Sequence, residues 1–145
     1  ESEAIIVGGE ESGGLSVKGH VPEKDGILAC LLMAELVAVE GKPLGKILKQ
    51  LEKLIGPFYT DRINVQINPK GKEAILKRLA KGLDKIGTAK VEKFITTDGY
   101  KFLLPKGEWV AFRASGTEPV IRCYLETKSA SRMKTLQSAC RKILK

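Results

Sequence analysis

The sequence predicts a mixed α/β and α+β fold, in which a helical N-terminal part precedes a sheet-rich C-terminal domain. Up to Gly56-Pro57 the chain holds one short apolar strand, a glycine loop and two helix-like segments. Beyond that break, alternating polar and apolar runs indicate half-buried strands together with two helices. The charge divides as well: residues 1–67 carry 7 Lys/Arg and 10 Asp/Glu, whereas residues 68–145 carry 18 and 7. We therefore predict two domains, at 1–57 and 58–145.

The chain opens with a predicted strand and a glycine-rich segment. Residues 4–7 are apolar and form the strand, which Gly8-Gly9 end. Residues 10–26 contain four glycines and one proline, which predicts a long irregular loop. Long loops in compact domains usually carry function, so this segment is a candidate site.

Two helices are predicted next. The run from Ile27 to Val39 is apolar on nearly all sides, which predicts a buried helix with Asp25 as its N-cap and Gly41 at its end. Pro43 then opens a second helix whose leucines and isoleucines recur at helical spacing. Gly56-Pro57 stops that helix and precedes the change of pattern.

The C-terminal half has the predicted order β-α-β-β-β-β-α, from which we expect a four-stranded antiparallel sheet with two helices packed on it. Asp98-Gly99 is a strong hairpin turn pair, and Ser129 is a predicted helix cap. The predicted strands are 62–67, 90–96, 100–104, 109–113 and 120–127, and the predicted helices are 70–83 and a last segment after Ser129.

Composition excludes several classes of protein. The longest uninterrupted apolar run, Ile27 to Ala34, is far shorter than the roughly 20 residues that a membrane span needs. A single histidine, His20, cannot anchor a zinc site alone. The three cysteines form no CxxC pair and indicate a reducing, cytoplasmic setting. Because the chain begins at Glu1 and enters a strand at once, we interpret it as a fragment.

The first candidate site is the loop from Gly8 to Gly14, which contains Glu10 and Ser12. Glycines let the backbone approach a ligand, and a carboxylate can accept hydrogen bonds from two neighbouring sugar hydroxyls. His20 and Lys24 follow nearby, where a lysine could hold a phosphate or move a proton. On residue chemistry alone, a solvated turn with surface side chains is the better interpretation.

The second candidate site lies between two predicted strands and begins at Arg113. The guanidinium offers two donors to a phosphate, while Ser115 and Thr117 add hydroxyls and Gly116 leaves backbone N–H groups uncovered. Arg122 lies nearby on the returning strand. A hairpin turn whose hydroxyls bond their own backbone explains the same residues equally well.

A small basic module that binds nucleic acid or another polyanion is the alternative function. The excess of Lys and Arg after residue 67 favours it, and Trp109, Tyr100 and Tyr124 could stack on bases. The lysines are nevertheless spread over predicted helices and turns, and no nucleic-acid-binding motif occurs.

Taken together, the two loops are more specific than either alone. The motifs are GGEESGG, then HVPEKDG, then RASGTEPVIRCYLET near the C-terminus. In order and separation they resemble the α-D-phosphohexomutases, the family of phosphoglucomutases and phosphomannomutases. The resemblance spans essentially the whole chain and implies a partial third α/β domain at 1–57, followed by the fourth, phosphate-binding domain at 58–145. GGEESGG looks more like the glucose and mannose enzymes than like phosphoglucosamine mutases.

The resemblance also implies roles for individual residues. Glu10 and Ser12 would bind the 3- and 4-hydroxyls of the sugar ring. His20 and Lys24 would contact substrate, with Lys24 a candidate for charge stabilisation or proton transfer. The phosphate that does not react would be held by Arg113, Ser115, Gly116 and Thr117, with Arg122 and Glu118 as weaker assignments.

In the family, a phosphoserine exchanges its phosphoryl group with a hexose 1- or 6-phosphate through a hexose 1,6-bisphosphate, and Mg²⁺ assists. The phosphoserine loop T-A-S-H-N-P and the magnesium loop D-x-D-x-D-R do not occur in these 145 residues. We therefore expect an isomerase as the full-length parent and no turnover by this chain alone. The expected partners are hexose phosphate and the missing N-terminal domains, with neither nucleic acid nor membrane.

Overall fold

The computed structural model describes residues 6–10 and 13–145. The chain forms two compact units, Glu1–Leu54 and Ile55–Lys145. Each unit has its own sheet and helices, which confirms the mixed α/β and α+β class. No helix in the described residues is long and apolar enough to cross a membrane.

The first unit begins with a small hairpin. Strands β1 (Val7–Gly9) and β2 (Leu15–Val17) pair antiparallel, with Val7 opposite Val17. Residues 4 and 5 of the predicted strand 4–7 lie outside the described residues. Two sequence-based expectations were wrong here, because Gly8 and Gly9 belong to β1 and the loop 10–26 contains β2. Short strands of this kind carry too few residues to show an alternating pattern.

Two helices follow, with the predicted caps. Helix α1 (Gly26–Glu40) begins at Asp25, whose side chain accepts hydrogen bonds from the N–H groups of Ile27 and Leu28. It ends at Gly41, which has φ 59° and donates its N–H to the carbonyl of Val37. Helix α2 (Leu44–Ile55) starts directly after Pro43.

The prediction that α1 is a buried helix was wrong. None of its residues is buried: the side chain of Leu31 is 63% exposed and that of Ile27 is 77% exposed. Apolar composition predicts burial only when another layer covers the helix. Among the described residues, the two-stranded hairpin is too small to cover it. On α2, Ile47 is the buried residue and the other large apolar side chains are exposed.

The second unit is a sheet of five antiparallel strands in the order β3-β9-β8-β7-β6. A separate two-stranded ribbon pairs β4 with β5. The elements are β3 (Tyr59–Gln66), α3 (Pro69–Ala80), β4 (Lys85–Ile86), β5 (Ala89–Lys90), β6 (Lys93–Ile95), β7 (Tyr100–Leu103), β8 (Trp109–Ala114), β9 (Val120–Thr127) and α4 (Ala130–Ile143).

The sheet therefore has one strand more than the four we expected. Strand β3 forms one edge of the sheet and pairs along the whole of β9, with Tyr59 opposite Thr127 and Gln66 opposite Val120. The pattern of residues 62–67 correctly predicts a strand, but periodicity does not show which distant strand it pairs with. The hairpin turn at Asp98-Gly99 lies between β6 and β7 as predicted, and Ser129 caps α4 by accepting from the N–H of Arg132.

The core of the second unit lies between the sheet and its two helices. Phe102 and Phe112 are fully buried, with their ring centroids 6.1 Å apart in an edge-to-face arrangement. Burial of each such side chain contributes about 1.5–3 kcal/mol. The other members of the cluster include residues from β3, α3, β8, β9 and α4: Ile63, Ile75, Leu79, Val110, Ile121, Leu125, Met133 and Leu136. This core fixes the ends of β8 and β9, between which the second candidate site lies.

Candidate functional site

Glu10 begins a tight turn between the two strands of the N-terminal hairpin. Its N–H donates to the carbonyl of Gly14 at 2.9 Å, and its carbonyl accepts from the N–H of Gly13 at 3.0 Å. Ser12, the second predicted sugar-binding residue of this loop, lies outside the described residues. The short hairpin therefore presents the Glu10 carboxylate at its end.

Lys24 and Glu10 lie together, which the sequence did not show. The Lys24 ammonium is 3.3 Å from Glu10 Oε1 and 3.2 Å from Oε2. About half of each side chain remains exposed, 51% for Lys24 and 48% for Glu10. A ligand can therefore approach both groups.

Gly14 allows Lys24 and Glu10 to lie this close together. A Cβ atom at Gly14 would lie 2.8 Å from Lys24 Cδ and 3.2 Å from Glu10 Oε2. A larger residue would push the lysine stem away from the carboxylate. The sequence does not indicate why position 14 is a glycine, because Gly14 and Lys24 are separated in the chain and come together only in the fold.

His20 pairs with Asp25 rather than with Glu10. His20 Nε2 lies 2.9 Å from Asp25 Oδ2, while Asp25 Oδ1 accepts from the first N–H groups of α1. The N–H of Leu28 chiefly, and then His20, hold the pKa of the Asp25 carboxyl below its ordinary value of 3.8. Asp25 is thus both a helix cap and the partner of a predicted substrate contact, a second role that the sequence did not indicate.

The second candidate loop joins β8 to β9 in the other unit. The Ser115 N–H donates to the carbonyl of Val120 at 3.0 Å, and Ser115 Oγ accepts from the Glu118 N–H at 3.2 Å. Ser115 is 6% exposed. Its oxygen therefore serves the turn, as the structural alternative proposed, while its hydroxyl hydrogen remains available to donate.

Gly116 and Thr117 present donors that the turn does not use. Both residues are exposed, and among the described residues neither backbone N–H has an acceptor in the protein. A Cβ atom at Gly116 would meet nothing within 4 Å. The surface beside these two amides is therefore open, and successive N–H groups of this kind bind anions.

Arg113 stands at the end of β8 with 55% of its side chain exposed. Its Nε lies 3.4 Å from Asp98 Oδ1, so a carboxylate occupies one edge of the guanidinium. Sequence analysis identified Asp98 only as a turn residue. A cavity of about 420 Å³ adjoins this pair and is lined by Leu76, Thr96, Asp98, Gly99, Tyr100, Arg113 and Ala114.

Gly99 holds Asp98 in this place. It has φ +84°, and a Cβ atom there would lie 2.5 Å from the carbonyl oxygen of Phe112. The β6–β7 turn therefore lies directly against the end of β8, one residue before Arg113. Only glycine combines the positive φ with so close an approach.

Arg122 and Glu118 form an ion pair, with Arg122 Nη2 3.0 Å from Glu118 Oε2. These are the two weaker assignments, and they lie next to each other at the far end of the loop. Lys72 of α3 is a further residue that sequence reasoning missed. Its ammonium donates to the carbonyls of Ser115 at 2.6 Å and Glu118 at 3.0 Å.

The described residues contain no group of three or more His, Cys, Asp or Glu side chains that could hold a metal ion. The second unit thus offers a turn with unused amide donors close to a guanidinium, and the first unit offers paired carboxylate, ammonium and imidazole groups.

Comparison with known proteins assigns both units. Residues 1–54 match the model of the phosphoglucomutase/phosphomannomutase alpha/beta/alpha domain III, and residues 62–143 match the model of the C-terminal domain of the same family. These matches define a pair of consecutive domains from one class of sugar-phosphate mutases. The chain belongs to the phosphoglucomutase/phosphomannomutase family.

Individual relatives agree with this assignment. A phosphoglucomutase/phosphomannomutase of Thermococcus kodakarensis is 34% identical over 85% of this chain and 25% of its own length. A phosphoglucosamine/phosphogalactosamine mutase of Sulfurisphaera tokodaii is 30% identical over 98% of this chain and 30% of its own length. The chain thus spans less than a third of these relatives.

A solved structure shows the same fold. The crystal structure of a phosphoglucomutase/phosphomannomutase family protein from Burkholderia thailandensis matches 96% of this chain and 28% of its own, with a TM-score of 0.66 at 21% identity. A probable phosphoglucosamine mutase of Methanothermobacter thermautotrophicus has the same 34% identity as the Thermococcus enzyme, over 96% of this chain and 30% of its own length. Overall identity therefore does not separate glucose, mannose and glucosamine substrates, and the preference that we derived from GGEESGG stays a prediction.

Proposed function

We propose that this chain is the substrate-binding C-terminal portion of a phosphohexomutase, an isomerase that interconverts hexose 1-phosphate and hexose 6-phosphate. Residues 1–57 would bind the sugar and residues 58–145 the phosphate that does not react. The observation that carries the proposal is the loop after β8, where Arg113 and two unused backbone N–H groups lie beside open surface.

The phosphate would bind to four groups of that loop. Arg113 supplies a planar, permanently charged fork, and charge-assisted hydrogen bonds to phosphate are roughly twice as strong as neutral ones. Gly116 and Thr117 supply amide donors, and Ser115 retains its hydroxyl hydrogen. The phosphate would compete with Asp98 for Arg113, and the exposed Asp98 pair is weak enough to yield.

The sugar would bind at the N-terminal hairpin. About half of the Glu10 side chain is exposed, and a carboxylate can accept hydrogen bonds from two neighbouring ring hydroxyls, with Ser12 two residues further along the chain. Lys24 would stabilise charge or transfer a proton, and His20 would contact the substrate while Asp25 orients its ring. All four roles are proposals.

Phosphoryl exchange itself would need groups outside these 145 residues. In the parent enzyme, a phosphoserine, Mg²⁺ and a hexose 1,6-bisphosphate intermediate would supply them, and the domains that carry those groups would be this chain's partners. We place the protein in the cytoplasm, which suits the free thiols of Cys30, Cys123 and Cys140. The purified chain should show no mutase turnover with glucose 1-phosphate or mannose 1-phosphate.

The polyanion-binding alternative finds less support. Trp109 is half-buried, donates its Nε1–H to Glu126 at 3.0 Å and lies under the ammonium of Lys101 at 4.1 Å. Tyr100 and Tyr124 are also half-buried. A base would have to displace the Lys101 ammonium before it could stack on that face of Trp109.

The experiment that tests the proposal is an amide NMR titration of the 145-residue chain with inorganic phosphate and with glucose 1-phosphate. We expect the Gly116 and Thr117 signals to shift. Arg113→Ala should weaken binding about tenfold or more, since a hydrogen bond to a charged group contributes about 1.5–3 kcal/mol.

Arg141→Ala is the matched control, because it removes the same charge from an exposed position on α4. It should change the affinity less than about twofold, as expected for an exposed, screened charge that is not part of the loop. Equal losses in both variants, or tighter binding of random oligonucleotides than of hexose phosphate, would contradict the proposal and favour a general polyanion site.

A further inference from the structure

Lys72 ties helix α3 to the phosphate loop. It lies in the first turn of that helix, where its N–H donates to the carbonyl of the preceding Asn68 at 2.9 Å. From there the half-buried side chain reaches residues more than 40 positions later in the chain, donating to Ser115 at 2.6 Å and Glu118 at 3.0 Å. Both acceptors are backbone carbonyl oxygens of the loop.

The bond to Ser115 fixes the direction of a donor. The carbonyl of Ser115 and the N–H of Gly116 belong to one peptide unit, and in a planar trans peptide these two bonds point in opposite directions. Holding the oxygen at the Lys72 ammonium therefore turns the Gly116 N–H away from Lys72. That N–H is one of the two that have no acceptor among the described residues.

Lys72 also bonds the Glu118 carbonyl, but other bonds hold the two ends of the loop without it. Ser115 is bonded to Val120 through its N–H and to Glu118 through its hydroxyl oxygen, and the Ile67 N–H donates to the Pro119 carbonyl at 2.9 Å. These bonds hold the ends of the turn, whereas Lys72 holds the plane of the peptide between Ser115 and Gly116. Without Lys72, the Ser115–Gly116 peptide could rotate while the hairpin stays closed.

We propose that Lys72 is a positioning residue for the phosphate. It orients the Ser115–Gly116 peptide so that the Gly116 N–H is ready to donate before the ligand arrives, and its positive charge behind the loop favours the anion. Donors arranged in advance need no reorganisation when the ligand binds, so they strengthen binding more than mobile donors do. The inference rests on the proposed phosphate-binding role of this loop.

The test compares Lys72→Met with Lys77→Met in the same titration with inorganic phosphate. Lys77 lies on the same helix, is 75% exposed and pairs with Glu73, so its removal matches the change in charge and helix composition. We expect Lys72→Met to weaken phosphate binding at least fivefold and to reduce the phosphate-induced shift of the Gly116 amide. Lys77→Met should leave both within twofold of the unmodified chain.

Two additional measurements separate positioning from stability. The melting temperature of Lys72→Met should stay close to that of Lys77→Met, and Lys72→Arg, which keeps a cation and its donors, should recover most of the affinity. If Lys72→Met unfolds, Lys72→Arg and Lys72→Gln are compared instead. Equal phosphate affinities of these two variants would overturn the role of the charge.

The outcomes also distinguish this inference from the proposed function. If the unmodified chain shows no phosphate-induced shift at Gly116 and Thr117, the phosphate-binding role of the loop is wrong. If the unmodified chain binds phosphate there and Lys72→Met binds it equally well with the same Gly116 shift, only the positioning role of Lys72 is overturned.

Discussion

The two units hold their candidate binding groups in opposite ways. In the first unit, the described candidate residues form ion pairs on the surface, Lys24 with Glu10 and His20 with Asp25. In the second unit, the loop between Ser115 and Val120 is bonded through its backbone to a five-stranded sheet with a continuous core. The proposed phosphate loop thus takes its shape from the core, whereas the proposed sugar-binding pairs take theirs from local contacts.

This difference has an energetic consequence. Exposed ion pairs contribute only about 0–1 kcal/mol, so the Lys24–Glu10 pair can open toward a ligand at little cost. The phosphate loop cannot change shape without breaking bonds to β9 or to Lys72. We infer that the first unit adapts to either orientation of a sugar, while the second unit binds a phosphate in one geometry.

The largest expected effect is on stability, and it tests whether only the second unit has a buried core at the positions compared. Phe112 is fully buried, and replacing such a phenylalanine with alanine removes its burial and leaves a cavity. We expect Phe112→Ala to lower the free energy of unfolding by about 3–5 kcal/mol, measured by urea denaturation. Leu31→Ala, at a side chain that is 63% exposed, should change it by less than about 0.5 kcal/mol.

A large decrease in the free energy of unfolding of Leu31→Ala would contradict this difference between the two units. It would mean that α1 is covered in solution, for example by association of the chain with itself. Repeating the denaturation at several protein concentrations checks this, since a stability that comes from association rises with concentration.

Local signals in the sequence predicted much of the fold. Asp25, Gly41 and Ser129 form the expected caps, and the Asp98-Gly99 turn lies where it was predicted. These features depend on residues within a few positions of each other. For the same reason the short strand β2 was missed, because three residues are too few to show a period.

What the sequence did not predict are contacts between distant segments. The pairing of β3 with β9, the approach of Asp98 to Arg113 and the bonds of Lys72 to the loop all join residues that the fold brings together. The motif of the loop predicted which residues would bind an anion. It could not indicate what holds them in place, since those groups come from α3 and from the β6–β7 turn.

An intermediate effect is expected at Gly99. Its φ of +84° and the 2.5 Å approach of a Cβ atom to the Phe112 carbonyl both oppose a side chain. We expect Gly99→Ala to cost about 1–3 kcal/mol of stability and to weaken phosphate binding, because the turn must move away from Arg113. Thermal unfolding together with the phosphate titration measures both effects.

Gly116→Ala is the control for Gly99→Ala, since a Cβ atom at Gly116 meets nothing within 4 Å. It should leave the melting temperature nearly unchanged while it weakens phosphate binding, because the new methyl group occupies the open surface beside the amide donors. If the two variants lose equal stability, the inference that the β6–β7 turn holds the phosphate loop in place is wrong.

The smallest expected effect asks whether the local contacts of the first unit persist in solution. The N–H of Leu28 and then His20 stabilise the Asp25 carboxylate, so its pKa should lie below 3.8 in the folded chain, measured by carboxyl NMR titration. A lowered pKa means that this carboxylate stabilises the folded state fully above about pH 3.8, and that the contribution is lost as the pH falls through the lower, folded-state value. His20→Ala should raise the pKa of Asp25 only part of the way toward 3.8, because the hydrogen bond from the Leu28 N–H remains. A midpoint at or above 3.8 in the unmodified chain would show that the cap of α1 is not formed, and the first unit would then need its ligand or another domain to order the site.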